Sequence, residues 1–347
     1  MSGFAFAIPG DIDLATGGYG YDRRVIAECG RAGCTVTHLA LPDTFPFPSP
    51  EDLARSEERL KALPAGQPLL IDGLAMGALP ASLLRGLDRP IAALVHHPLA
   101  LETGLDNGQQ ARLMTSERAA LSIASVVIVT SPATARLLER DLGIGRDRIV
   151  VAVPGNDPCP RARGTGAPMR LLSVGAVIPR KAHGILVDAL ARLAALDWSC
   201  RIVGSTDRDA DEVHALRRRI ETHGLEGRIT LTGAVSEGAL ALEFDAADLF
   251  VSASLFEGYG MSLTEALARG LPIVATRTGA IPETVPPEAS LLAPPNDAAG
   301  LAEGIRLLHD PDRRHAMAEA AWRRAETLPR WPRTATTIMA TMQEIAR

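Results

Sequence analysis

The sequence predicts an α/β protein built from two doubly wound, Rossmann-like domains, and three observations carry that prediction. Short apolar, β-branched runs alternate with longer Ala/Leu/Arg-rich amphipathic stretches from end to end. One proline- and glycine-rich break, PGNDPCPRARGTGAP at 154–168, interrupts the alternation without apolar periodicity of its own. A second series of similar length then restarts at LLSVG.

In the first series the strand-like runs are Phe4 to Ile8, Thr35 to Leu39, Pro68 to Ile71, Ile91 to Val95, Ser125 to Val129 and Ile149 to Val153. In the second they are Leu171 to Val174, Cys200 to Val203, Ile229 to Leu231, Leu249 to Val251, Ile273 to Ala275 and Ser290 to Leu292. Helix-like segments separate them, as parallel sheets require. The break reads as an inter-domain linker, giving a first domain over 1–160 and a second over 168–330. The last segment, 331–347, follows the proline-flanked LPRWPR, has helical composition, and is free to pack away from the helix before it. Doubly wound sheets bind ligands outside the carboxyl ends of their strands. Two such units facing each other would share a cleft, where small-molecule sites are common.

Composition narrows the function. The 347 residues are 46% hydrophobic and 22% charged with a formal net charge of -5, which argues against sequence-independent nucleic-acid binding. The longest apolar runs fall far short of a membrane span, and the start MSGFAFAIPGD lacks a signal peptide's basic and hydrophobic regions, so a cytoplasmic location is expected. Cys29, Cys34, Cys159 and Cys200 form neither a CxxC pair nor a zinc pattern and read as reduced thiols. Of 36 basic residues only Lys61 and Lys181 are lysine.

The most informative stretch is SLFEGYGMSLTEALARGLPIVATRTGAIPETV, 254–285. A strand ends near Ser252, a loop carries Glu257, Gly258, Tyr259 and Gly260, and a helix opens near Ser262. Its free N–H groups and dipole suit a phosphate. Glu257 and Glu265 flank that helix start and both can face a ligand lying across it; alternatively Ser262 and Glu265 form a capping box and the glutamate only ties off the helix. In the first domain, Gly17, Gly18 and Gly20 form a glycine-rich turn between strand and helix, which permits close backbone approach to phosphate or sugar or simply makes a tight turn. It lacks the GxGxxG spacing of dinucleotide binders. His96 and His97 end a strand, with Glu102 and Thr103 in the loop beyond. Asp11-Ile-Asp13 and Asp207-Arg-Asp209-Ala-Asp211 have DxD spacing but read as loop or helix-start charges.

Glu257 to Glu265 in its EGYGMSLTEA context resembles the E-x7-E motif of retaining GT-B glycosyltransferases, specifically glycosyltransferase family 4, and LPIVAT with GAIPE resembles the continuation. The resemblance implies that Glu257 contacts the transferred sugar's hydroxyls and that Glu265 holds the nucleotide ribose. Gly258, Tyr259, Gly260, Met261 and Ser262 would then face sugar and diphosphate. LLSVGAVIPRKAHG resembles the family's strand followed by G-R-x4-K-G, whose two cations neutralise the diphosphate. Lys181 matches the lysine; the arginine position holds Ala176 and the glycine after the lysine is Ala182, so Arg180 is the candidate replacement cation.

Gly17 and Gly18 resemble the family's GG loop. The resemblance places the active-site histidine on His96, with His97 an alternative, and leaves Glu102 and Thr103 as acceptor-side candidates. It implies a metal-independent hexosyltransferase without cofactor, taking a nucleotide-sugar donor, most simply UDP-glucose or another UDP-sugar. The acceptor would be a glycan, lipid-linked sugar or small molecule. It also implies that the segment 331–347 crosses back onto the first domain. Peripheral contact with the inner face of the membrane and the oligomeric state stay open. A nucleotide-sugar epimerase and a non-catalytic nucleotide-sugar-binding protein are the competing readings.

Overall fold

The computed structural model describes residues 3–347. All twelve predicted strands form, with ends displaced by at most two residues: β1 Phe4–Pro9, β2 Val36–Leu41, β3 Leu69–Asp72, β4 Ile91–Val95, β5 Val126–Val129, β6 Ile149–Val151, β7 Met169–Val174, β8 Trp198–Val203, β9 Ile229–Gly233, β10 Leu249–Ser252, β11 Ile273–Thr276 and β12 Ser290–Ala293. Central strands such as β1, β3, β4, β5 and β10 are buried along their whole length, which explains their near-continuous apolar sequences.

The chain divides into two compact units. The first, running to Gly155 and including Pro329–Arg347, holds a parallel sheet in the order β2-β1-β3-β4-β5-β6. Its order reverses between β1 and β3, so the loops after those strands diverge there and open a crevice. The second, Asn156–Leu328, holds a parallel sheet in the order β12-β11-β10-β7-β8-β9, with its reversal between β7 and β10. Apolar clusters fill both faces of this second sheet. Among the described residues, no helix is long and apolar enough to cross a membrane.

The stretch at 154–168 is not the free linker its composition suggests. From Asn156 it belongs to the second unit, strapped down by main-chain bonds from Ala162 to Arg269 and from Arg163 and Gly164 to Asp245. Asp248 accepts from the N–H groups of Gly166 and Arg170 at 2.9 and 2.8 Å and from the Thr165 hydroxyl at 2.9 Å. Proline and glycine here satisfy a bound path, a role that periodicity cannot reveal.

The helix Trp331–Ile345 lies in the first unit. The Trp331 indole is 5% exposed and meets Tyr21 edge-on at 5.7 Å, with the Arg24 guanidinium 5.2 Å from its ring centre. The Thr334 hydroxyl donates to the Val153 carbonyl at 2.7 Å. Trp331→Ala is expected to remove about 3–5 kcal/mol from the first unit. Urea unfolding followed by circular dichroism measures it.

Candidate functional site

In the second unit, the loops after β7 and β10 meet at the switch point. The β7 loop runs through Gly175 and Ala176 to a short 3-10 turn, Pro179–Lys181, and it carries the two cations. A main-chain bond from Leu255 to the Arg180 carbonyl, 2.8 Å, ties this turn to the β10 loop. The Lys181 ammonium donates to Glu257 Oε1 at 2.6 Å, the Ser254 hydroxyl donates to the same oxygen at 2.7 Å, and the Arg180 guanidinium lies 3.8 Å from Oε2 while donating to the Phe256 carbonyl at 3.1 Å. Glu257 is 8% exposed. Burial would raise its carboxyl, but Lys181, Arg180 and the hydrogen bonds from Lys181 and Ser254 outweigh it and hold the group below the usual glutamate range.

Gly175 makes room for this arrangement: a Cβ there would sit 2.9 Å from Lys181 Cε and 3.1 Å from Cδ. His183, 2% exposed, hydrogen-bonds through Nε2 to the Gly175 carbonyl at 3.3 Å, and burial, with Lys181 nearby, pushes its imidazole down to about 4. It is therefore a neutral strut under the turn. Sequence reading passed over both His183 and Ser254. Ala182 occupies φ +48°, the left-handed region that favours glycine, which is a physical reason for glycine at that place in the family pattern.

The helix after Glu257 is Met261–Ala268, starting one residue earlier than expected from Ser262. Gly260 caps it at φ +90°, and no side chain caps it. The Ser262–Glu265 capping box does not form, because Gly260 rather than Ser262 is the N-cap and Glu265 falls at the fifth helical position. Glu265, half-buried, instead stands with its carboxyl pushed up to about 7 by burial; Arg269 opposes the rise while Glu237 and Asp157 add to it. Tyr259 is held by a bond from the Thr284 hydroxyl to its carbonyl at 2.8 Å, and burial raises its phenol to about 12.

In the first unit, His96 directly follows β4, the neighbour of β3. Its Nε2 lies 2.9 Å from Asp22 Oδ1 and 3.4 Å from Asp72 Oδ2. Gly17 and Gly18 are not a turn but the first two residues of the helix Gly17–Arg31, capped by the Thr16 hydroxyl, which accepts from the Tyr19 N–H at 3.2 Å. A Cβ on Gly18 would stand 3.5 Å from His96 Cδ2, an ordinary contact. His97 Nε2 lies 3.9 Å from Glu102 Oε2, and Glu102 also accepts from the Thr103 N–H at 3.1 Å, so these three candidates gather in one loop. Buried Glu117 accepts from the Leu99 N–H at 3.0 Å, fixing the turn after the histidines, and burial raises it to about 8. The Asp13 N–H donates to Asp11 Oδ1 at 2.9 Å, and Asp209 caps the helix Ala210–Thr222.

Doubly wound sheets with a cationic, helix-capped switch point in the second unit define a protein of the GT-B class. Residues 165–324 match the family of glycosyl transferases group 1, and residues 10–155 match the glycosyl transferase 4-like domain. Together these spans take in most of the chain, which belongs to this group of GT-B glycosyltransferases. It is 30% identical over 174 residues to mannosylfructose-phosphate synthase of Agrobacterium fabrum, a match covering 45% of this chain and 38% of that one. Among solved structures it resembles sucrose-phosphate synthase from Thermosynechococcus elongatus, with a TM-score of 0.84, 22% identity and 98% of each chain covered. It likewise resembles Anabaena Alr3699/HepE in complex with UDP and glucose, with a TM-score of 0.78, 19% identity, and 98% of this chain and 100% of that one covered. The chain spans between about two fifths and two thirds of the length of the curated relatives it matches.

Two expectations follow from the second unit. Glu265 keeps a proton in the folded state between about pH 4.5 and 7 that the unfolded chain has lost, so stability falls as pH rises through that window. Glu265→Gln should remove this dependence and stabilise the ligand-free protein at pH 8 by up to about 3 kcal/mol, read from melting curves at pH 5 and pH 8. Ala182→Gly relieves the left-handed strain at the cost of a buried methyl, so it should add about 0.5–1 kcal/mol of stability, checked by the same melts.

Proposed function

We propose that the protein is a retaining, metal-independent hexosyltransferase that moves a sugar from a nucleotide-sugar donor, UDP-glucose or another UDP-sugar, to an acceptor hydroxyl. One observation carries the reading: Lys181, Arg180 and Glu257 converge beside an uncapped helix start at the switch point of the second unit. That is a cradle for a diphosphate next to a group that accepts hydrogen bonds from sugar hydroxyls.

Transfer breaks the bond between the anomeric carbon and the diphosphate oxygen and forms one to the acceptor oxygen on the same face of the sugar. The departing phosphate takes the acceptor's proton. The chain's part is to stabilise the growing phosphate charge and to hold the sugar. Lys181 supplies a compact ammonium on a flexible stem, Arg180 adds the charge that Ala176 cannot, and the N–H groups at the start of Met261–Ala268 complete the cradle. Glu257 takes the sugar hydroxyls and Glu265 the ribose, with Gly258, Tyr259, Met261 and Ser262 lining donor and diphosphate. Within the first unit by itself, the candidates are Gly17, Gly18 and His96, with His97, Glu102 and Thr103 for the acceptor. The complex of Anabaena Alr3699/HepE with UDP and glucose supports the choice of donor, and the group 1 family match supports transfer over epimerisation.

A panel of UDP-, GDP- and ADP-sugars tests the donor by thermal shift and by product analysis with donor alone. Slow release of free sugar with the α-configured anomer supports a retaining transferase. An epimerised donor, or binding without any turnover, would overturn it. Lys181→Ala should lower turnover by about two to four orders of magnitude while the circular dichroism spectrum stays that of the folded protein. Near-wild-type transfer by this variant would sink the assignment.

A further inference from the structure

We propose that Asp22 and Asp72 are positioning residues for His96: together they hold a proton on its Nε2 and leave Nδ1 as the nitrogen that meets a bound acceptor. Both carboxylates address the same ring nitrogen, Asp22 Oδ1 at 2.9 Å and Asp72 Oδ2 at 3.4 Å. Asp22 is fully buried and Asp72 is 4% exposed, so neither can turn to water to relieve its charge. Asp72 Oδ1 is already committed to the N–H of Leu74, 2.9 Å, at the start of the helix Gly73–Met76. Asp22 Oδ2 is buried without a hydrogen-bond partner, which leaves the contact to His96 as its carboxylate's polar anchor.

Two buried carboxylates facing one another are destabilising unless a cation or a shared proton stands between them. His96 Nε2–H is placed to be that group. The ring is also bounded by the edge of Tyr21 at 5.1 Å between ring centres, and it occupies the space beside Gly18, where an added Cβ would stand 3.5 Å from Cδ2. The titratable groups facing it are therefore Asp22 and Tyr21 from the helix Gly17–Arg31 and Asp72 from the end of β3. Tyr21 is buried, donates to the Ala152 carbonyl at 2.8 Å, and stays neutral.

The electrostatics agree with the geometry. Burial would lower the His96 imidazole, but the Asp22 charge and hydrogen bond and the Asp72 charge together raise it above the ordinary histidine value. Asp72 is pushed up to about 7, by burial first and then by Asp22, against the pull of His96. The two carboxylates thus favour the protonated ring, and Asp72 takes up a proton as pH falls through about 7. With Nε2 engaged, Nδ1 is the nitrogen left for a ligand.

The two aspartates could be read as two thirds of a metal triad, yet Asp22 Oδ1 stands at hydrogen-bond length from Nε2, 2.9 Å, and a chelator is expected to change nothing.

The test is a proton–nitrogen NMR titration of the full-length protein with labelled histidines, with the His96 signals identified by their loss in His96→Gln. Wild type should show Nε2–H throughout the neutral range and a midpoint above that of ordinary histidine, unaffected by EDTA. Asp22→Asn should lower that midpoint by about 1 pH unit or more. Asp72→Asn, whose amide oxygen can still accept from Leu74, should lower it less, and it serves where Asp22→Asn fails to fold. A wild-type midpoint at the ordinary value, an Nδ1–H tautomer, or unchanged titration in both variants would overturn the proposal.

The consequence for transfer rests on the proposed function and is read separately. With the donor found in the panel above, the alkaline limb of the kcat profile should move to lower pH in Asp22→Asn by the same amount as the NMR midpoint, with the KM for donor unchanged. A shifted titration with an unshifted rate profile would leave the Nε2 network standing and remove His96 from the reaction, so the two failures are distinguishable.

Discussion

A carboxylate withdrawn from water has to be matched, and the second unit is organised around matching Glu257. Its two oxygens are met by an ammonium, a hydroxyl and a guanidinium drawn from two different loops. That requirement explains why the loop after β7 is docked on the loop after β10 through the Leu255 to Arg180 bond, why Gly175 has no side chain, and why His183 is buried as a neutral imidazole. A buried ion pair adds little net stability over an apolar substitute, whereas leaving one partner alone is costly. Its presence here is therefore a statement about function more than about folding. In the ligand-free protein the cations and the carboxylate are matched against one another.

The first unit repeats the principle with opposite sign. There a single imidazole faces two buried carboxylates at the crevice beside β3. In both units the charged groups sit at the point where strand order reverses, since only there do consecutive loops diverge and leave backbone and side chains open to a ligand. The scaffold beneath is ordinary parallel sheet with apolar strands, and the clusters above it are where local rules are broken: Ala182 at positive φ, an uncapped helix start, and a glutamate raised to about 7.

Much of this was legible from residues alone. The twelve strands could be read because parallel strands buried on both faces are continuous apolar runs, and their flanks carry turn residues that mark them off. Lys181 stood out against 34 arginines, and Glu257 through its spacing from Glu265. The glycines at 17 and 18 misled, since a helix start and a tight turn share the same composition; the stretch at 154–168 misled because proline and glycine mark a strapped segment as readily as a free one. The capping box at Ser262 failed for a similar reason: its signature fits, but Gly260 takes the cap first.

The sequence by itself determined the two sheets, the family pattern and the identities of the groups at the second unit's switch point, because periodicity and short motifs are local. Only the tertiary structure decided that Asp22, Asp72 and His96 share one hydrogen-bonded cluster and that Arg180 reaches Glu257 from beside Lys181. The partners come from distant parts of the chain, and nothing in the neighbourhoods of Asp22 and Asp72 marks them. They meet because strand order brings the loops after β3 and β4 beside the first helix, and the loop after β7 beside that after β10. Strand order is set by the packing of whole sheets, which no local stretch of sequence encodes.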